Sequence, residues 1–153
     1  MKIYLGTDHA GFELKEKIKA YLKTQEHHVE DQGAFELNPA DDYPDFIKVV
    51  ATLVAAEPES RGIIFGGSGQ GEAMCANRYL HVRATVFYGG SLEVVKLARE
   101  HNNANILSIG ARFISFDETK AAIDLWLATP FSGADRHVRR NVKLDTREID
   151  GVI

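Results

Sequence analysis

A three-layer α/β/α fold, Rossmann-like and doubly wound around a five-stranded parallel sheet, is predicted by three features of this sequence. Short β-branched apolar runs alternate with segments whose apolar residues recur at helical spacing, the pattern of strand–helix–strand units joined by right-handed crossovers. The stretch Gly62–Arg78, GIIFGGSGQGEAMCANR, reads as buried strand, glycine-rich turn and helix start. The 153 residues, 44% hydrophobic and 26% charged, contain no repeat, linker or low-complexity segment, so a single domain over 1–153 is expected.

In chain order, Ile3–Leu5 starts a first strand closed by Gly6-Thr7-Asp8-His9-Ala10-Gly11. Phe12, Leu14, Ile18, Tyr21 and Leu22 then mark a helix to about residue 24. His28–Asp31 is a weak second strand before a long loop, Gly33 to Pro44. Phe46, Val49, Val50, Leu53 and Val54 mark a helix ending near Glu57-Pro58. Ile63–Phe65 is the central strand. Val82–Phe87 is the fourth, followed by a helix with Ser91 as its cap. Asn105–Ile109 is the fifth, followed by a long helix with Asp117 as its cap. Residues 131–149 read as a polar, basic-rich tail, too polar to be core.

Bulk properties exclude several function classes. A net charge of -4 gives no reason to expect nucleic acid or an anionic membrane as partner. One cysteine, Cys75, excludes a disulfide framework and a Cys-rich zinc site, and it is read as a core residue. The six histidines show no HxxxH or HExxH spacing, so no metal is expected. The chain enters a strand at once, without a signal-peptide pattern, and no apolar run approaches membrane-spanning length; a cytoplasmic protein is expected.

Chemistry is expected at the glycine-rich turn. A Walker loop fails because Glu72 follows Gly71, a dinucleotide fingerprint lacks its third glycine there, and a nucleophile elbow around Ser68 would need glycine at Gln70. What remains is an oxyanion cradle of backbone N–H groups with a carboxylate, Glu72, beside it. That combination suits proton abstraction next to a carbonyl. A plain strand-to-helix turn with a first-turn Glu is the alternative. In a doubly wound fold ligands bind at the carboxyl ends of the strands, which nominates Asp8, His9, Glu72, Tyr88 and Arg112. Asp8-His9 could instead be a helix cap. His101 and Asn102 offer proton transfer and hydrogen bonding, or belong to a mere turn. Arg136 and Arg140, four apart, would share a helical face suited to a phosphate, or to solvent.

Together these segments resemble the ribose-5-phosphate isomerase B family, which includes galactose-6-phosphate isomerase subunits and allose-6-phosphate isomerases. The likeness rests on Gly6–Phe12, Asp42-Tyr43-Pro44, Gly66–Gly71 with Ala76-Asn77-Arg78, Arg99–Asn102, Gly110–Arg112, and Arg136-His137 with Arg140. It implies cofactor-free aldose–ketose isomerisation of ribose 5-phosphate and ribulose 5-phosphate through a cis-enediolate. The amides of Gly67, Ser68, Gly69 and Gly71 would hold the enediolate oxygen. Many members use a Cys base at the position of Gly66; this chain instead resembles the subgroup whose base is a Glu at the position of Glu72. His101 would assist ring opening and Asp8 would bind or deprotonate sugar hydroxyls. His9, Tyr43, Ser68 and Asn102 would line the sugar site, and Arg112, Arg136 and Arg140 would bind phosphate with His137 or His9 nearby. The resemblance also implies a homodimer with shared active sites, or a tetramer, with the tail 131–153 docked on the partner subunit. Asp135 beside the phosphate arginines departs from the family pattern. Another phosphosugar, such as allose 6-phosphate or galactose 6-phosphate, or a non-catalytic sugar-phosphate-binding module, are the alternatives.

Overall fold

The computed structural model describes residues 1–146. Its strands are β1 (Lys2–Thr7), β2 (His28–Asp31), β3 (Arg61–Gly66), β4 (Ala84–Phe87) and β5 (Ile106–Gly110). Its helices are α1 (Phe12–Thr24), α2 (Pro44–Ala56), α3 (Gln70–Ala76), α4 (Glu93–Glu100), α5 (Phe116–Ala128) and α6 (Asp135–Asp145). All strand pairs are parallel, in the order β2-β1-β3-β5-β4. The fold is the α/β class read from the alternation of elements.

The period-2 pattern of the strands builds the two outer layers. Ile3, Leu5, Ile63, Phe65, Leu107 and Ile109 point to one face, where Ile18 and Leu22 of α1, Val95 of α4 and Trp126 of α5 cover them. Tyr4, Ile64 and Ile106 point to the other, against Ile47, Val50 and Val54 of α2 and Ala76 of α3. Cys75 is half-buried and packs at the edge of this second cluster.

Three local expectations need correcting. The cap of α5 is Ser115, not Asp117: the Ser115 side chain takes the Glu118 N–H while Glu118 reaches back to the Ser115 N–H, a reciprocal capping box. Asp117 sits in the first turn, where its charge still favours the helix dipole. Leu92 occupies the cap position of α4, with Ser91 Oγ accepting from Glu93 N at 3.2 Å. The polar tail contains an amphipathic helix, α6, that buries His137 and Asn141 against its own chain and exposes Val138, Val142 and Leu144. The part of the tail beyond Thr146 lies outside the described residues.

One buried ion pair ties α1 to the edge of the sheet. Lys15 is fully buried, and its Nζ donates to Asp31 at 2.7 and 2.9 Å and to Ala34 O at 2.6 Å. Burial alone would raise the Asp31 carboxyl, yet the bonds from Lys15 and Lys19 hold it below the ordinary range. Its stabilising contribution is therefore present above the unfolded carboxylate pKa and lost as pH falls through the lowered folded value. Removing Asp31 leaves the buried Lys15 ammonium with only the partly exposed Glu16, at 3.2 Å, as counter-charge, so Asp31→Ala should cost about 3 kcal/mol in urea unfolding at pH 7.

Candidate active site

β1, β3 and β5 end together at one edge of the sheet, beside the point where successive crossovers leave β1 in opposite directions. β3 leaves at Gly66 and turns through Gly67, Ser68 and Gly69 into α3. Gly69 has φ +76, and a side chain there would press on the backbone of Ile109 and Gly110. The continuation of β5 pins the turn: Ala111 N donates to Gly66 O at 2.8 Å, Arg112 N to Gly67 O at 3.1 Å, and Ser108 Oγ to Gly69 O at 2.6 Å. These contacts use the turn's carbonyls. The N–H groups of Gly67, Ser68 and Gly69 have no acceptor among the described residues. Gly71 lies in the first turn of α3, where backbone N–H groups lack intrahelical partners. The cradle therefore keeps its donors open.

Glu72, also in the first turn of α3, folds back over Gly66. A Cβ placed on Gly66 would overlap the Glu72 carboxylate, so a side chain at 66 and a seated Glu72 are mutually exclusive. The carboxylate is only 4% exposed. Burial raises its pKa, and the charge of Asp8 adds to the rise, against a backbone N–H bond that lowers it. A carboxylate shifted toward neutrality beside open N–H groups can accept a proton from carbon while the amides stabilise the oxyanion. Because the obstructed atoms are the far end of a flexible side chain, Gly66→Ala should fold normally but displace Glu72. Steady-state kinetics should show kcat reduced about 10²-fold.

Around this centre the remaining strand ends bring four of the expected residues. Asp8 is buried and its Oδ1 accepts from Ala10 N at 3.0 Å, so it does cap the short turn that opens α1. Its Oδ2 lies 4.0 Å from His9 Nδ1. The guanidinium of Arg112 lies over Gly67 and the Tyr43 ring over Gly71, each filling space that a side chain would take. His9, Arg112 and Lys17 line a cavity of about 420 Å³.

The sequence reading passed over Asp41. Its Oδ1 takes both the backbone N–H of His9, at 3.0 Å, and His9 Nδ1, at 2.6 Å, which fixes the imidazole and presents its other nitrogen elsewhere. Asp41 Oδ2 is buried with no partner among the described residues. The doubled acid Asp41-Asp42 before Tyr43 was the available signal. Asp8, His9 and Asp41 also place one ligand atom each within 4.8 Å of one another, the spacing a cation would need.

The other expected residues form a second cluster that one chain does not bring to Glu72. His101 follows α4 and stacks on His137 of α6, with ring centroids 4.1 Å apart and planes 12° from parallel. Arg136 Nε donates to His137 Nε2 at 3.2 Å. Burial lowers the His137 pKa, as do His101, Arg136 and Arg140 around it. Asn102, Arg136 and Arg140 are exposed. This cluster precedes β5, whose first residue aligns with Gly62 and whose last aligns with Gly66. The length of β5 alone separates it from the Glu72 end by roughly 13 Å.

Residues 3–144 match the family model described as Ribose/Galactose Isomerase. The chain belongs to the ribose/galactose isomerase family. Ribose-5-phosphate isomerase B of Mycolicibacterium paratuberculosis is 46% identical over 140 residues, covering 92% of this chain and 87% of that protein. The Escherichia coli ribose-5-phosphate isomerase B is 34% identical over 139 residues, 91% of each chain. Among solved structures, the Mycoplasma genitalium ribose-5-phosphate isomerase B with bound ribulose-5-phosphate superposes with TM-score 0.89 at 36% identity, covering 94% and 93%. The Thermotoga maritima enzyme superposes with TM-score 0.88 at 41% identity, covering 94% and 97%. Membership extends across both half-sites, since the matched residues include Asp8 and Arg140 alike.

Proposed function

We propose that this chain interconverts ribose 5-phosphate and ribulose 5-phosphate by moving one proton between C2 and C1 through a cis-enediolate. The observation that carries this reading is the Glu72 carboxylate, buried over Gly66 with a raised pKa and flanked by open N–H groups. Glu72 takes the C2 proton of the open-chain aldose. The amides of Gly67, Ser68, Gly69 and Gly71 hold the developing enediolate oxygen, Glu72 returns the proton to C1, and the hydroxyl proton of O2 passes to O1 as C2 becomes the carbonyl. Electrons stay within the substrate, so no redox cofactor is needed. Asp8 orders the sugar hydroxyls, Tyr43 and Ser68 close the sugar pocket, and Arg112 with His9 meets the phosphate through charge-assisted bonds. The substrate class is supported by the ribulose-5-phosphate bound to the Mycoplasma genitalium relative.

His101, Asn102, Arg136, His137 and Arg140 act on the neighbouring subunit's Glu72 in a homodimer with two shared sites. Two features support this. The half-sites lie at opposite ends of the strands of one chain, and large apolar side chains stand exposed along the β4 side of the sheet: Met74, Leu80, Tyr88, Val94 and Phe113. The exposed face of α6, with Val138 and Val142, supplies the docking surface of the tail. Among the described residues no helix is long and apolar enough to cross a membrane, and the reading places the enzyme in the cytoplasm with its sugar-phosphate substrate.

Proton exchange tests the reaction directly. Ribose 5-phosphate incubated with the protein in D₂O should acquire deuterium at the exchanging carbons as ribulose 5-phosphate appears in the NMR spectrum. Binding without exchange would leave a sugar-phosphate-binding protein. Exchange of allose 6-phosphate or galactose 6-phosphate alone would move the substrate to six carbons.

A further inference from the structure

The end of the sheet opposite the glycine-rich turn carries a second basic site that the isomerase reading does not use. Arg61 opens β3, Arg83 precedes β4 and Arg99 lies in the last turn of α4. All three, with His81 and Asn103, line one cavity of about 660 Å³, and none of the residues assigned above to the isomerase lines it. Arg99 is 4% exposed. Its Nε donates to Thr129 O at 3.2 Å, and its Nη1 donates to Asn103 Oδ1 at 2.9 Å and to Ala104 O at 2.5 Å. Arg61 Nη1 donates to Ser60 O at 2.7 Å and Pro58 O at 3.3 Å.

These acceptors are all neutral. Among the described residues neither Arg61 nor Arg99 has a carboxylate within ion-pair distance, and only Arg83 is matched, by Asp145 at 2.9 Å. Glu59, the other acid at the rim, is exposed. Burial lowers the Arg99 pKa to about 10, with the charges of Arg61 and Arg83 adding to the effect; burial lowers Arg61 as well, against the exposed charge of Glu59 and together with that of Arg83. Three guanidiniums thus repel one another around an open volume with one close counter-ion. Buried cations are costly unless charge is supplied to them.

We propose that this cavity is a binding site for a multivalent oxyanion, a small metabolite bearing phosphate or clustered carboxylate groups, held by Arg61, Arg83 and Arg99. Guanidinium forks match such oxygens in bidentate fashion. The volume falls within the roughly 300–1,000 Å³ of small-molecule pockets. The site stands whether or not the isomerase assignment does, because it shares no residue with it.

Isothermal titration calorimetry on the full chain at low salt, with inorganic pyrophosphate and separately with citrate, tests this. In the Arg112→Ala/Arg140→Ala variant, which removes phosphate ligands of the isomerase site, pyrophosphate binding should persist. Adding Arg61→Gln to that variant should weaken it about tenfold or more. Arg61 bonds only to carbonyls of its own loop, so the substitution should leave the fold intact, as circular dichroism would verify. Citrate competing for the same site would mark a general polyanion pocket, and pyrophosphate alone a phosphate pocket; either supports the proposal. Pyrophosphate binding that vanishes in the double variant, or that survives Arg61→Gln undiminished, would overturn it.

Discussion

Glu72→Gln should reduce turnover of ribose 5-phosphate by about 10²–10⁴-fold, the range a positioned base supplies, while phosphosugar binding stays within a few-fold of the parent. Gln keeps the shape of the side chain over Gly66 and removes only the capacity to take a proton. The same substitution should raise the melting temperature at pH 8. Burial lifts the Glu72 pKa in the folded state, so the protonated form is favoured by folding. That contribution is complete below the unfolded carboxylate pKa and is lost as pH rises through the higher folded value. Above the folded value the parent carries an ionised carboxylate that its site disfavours, with Asp8 nearby, and the neutral amide relieves both. At pH 4 the difference between the two proteins should shrink. In the parent, kcat/KM should fall on acidification at a pH above the ordinary carboxylate range of about 4.3, as the base becomes protonated. A Gln variant with parental turnover would remove Glu72 from the role of base, whatever its effect on stability.

What was legible in the sequence divides along physical lines. The strands were legible because burial on both faces demands continuous β-branched runs such as Ile63-Ile64-Phe65. Glu72 was legible because three motifs failed at or beside it, leaving an acid next to open amides. The relation of Glu72 to Gly66 was not: that Gly66 must lack a side chain because Glu72 fills its space is a fact of three dimensions. Asp41 was passed over because an acid in a polar loop has an ordinary explanation, and only the fold brings it onto His9. Ser115 and Asp117 both suit a helix cap, and the reciprocal bond with Glu118 decided between them. The helical spacing of Arg136 and Arg140 anticipated α6, whereas the stacking of His137 on His101 required the tail to return to its own chain. Arg61, Arg83 and Arg99 stand about twenty residues apart on separate elements, so nothing local marks them as neighbours.

Mixing two inactive proteins should restore activity if Glu72 of one subunit works with His101 of its neighbour. Each homodimer, Glu72→Gln or His101→Ala, lacks one member of both sites and should be nearly silent. A mixed dimer places both lesions in one site and leaves the other site whole. With random exchange of equal amounts, half the dimers are mixed and each has one working site, so about a quarter of parental turnover should return. The orientation of the sheet makes this test decisive. His101 lies at the end of α4 that feeds the start of β5, while Glu72 lies beside the end of β3. Helix and strand run antiparallel in such units, which keeps the two residues at opposite ends of the sheet in any one chain. A site built within one subunit would place both residues in every complete site of the same chain, and mixing could then restore nothing. Recovery near a quarter would establish the shared site and, with it, the dimer as the smallest active unit. Silence after verified subunit exchange would overturn the shared site.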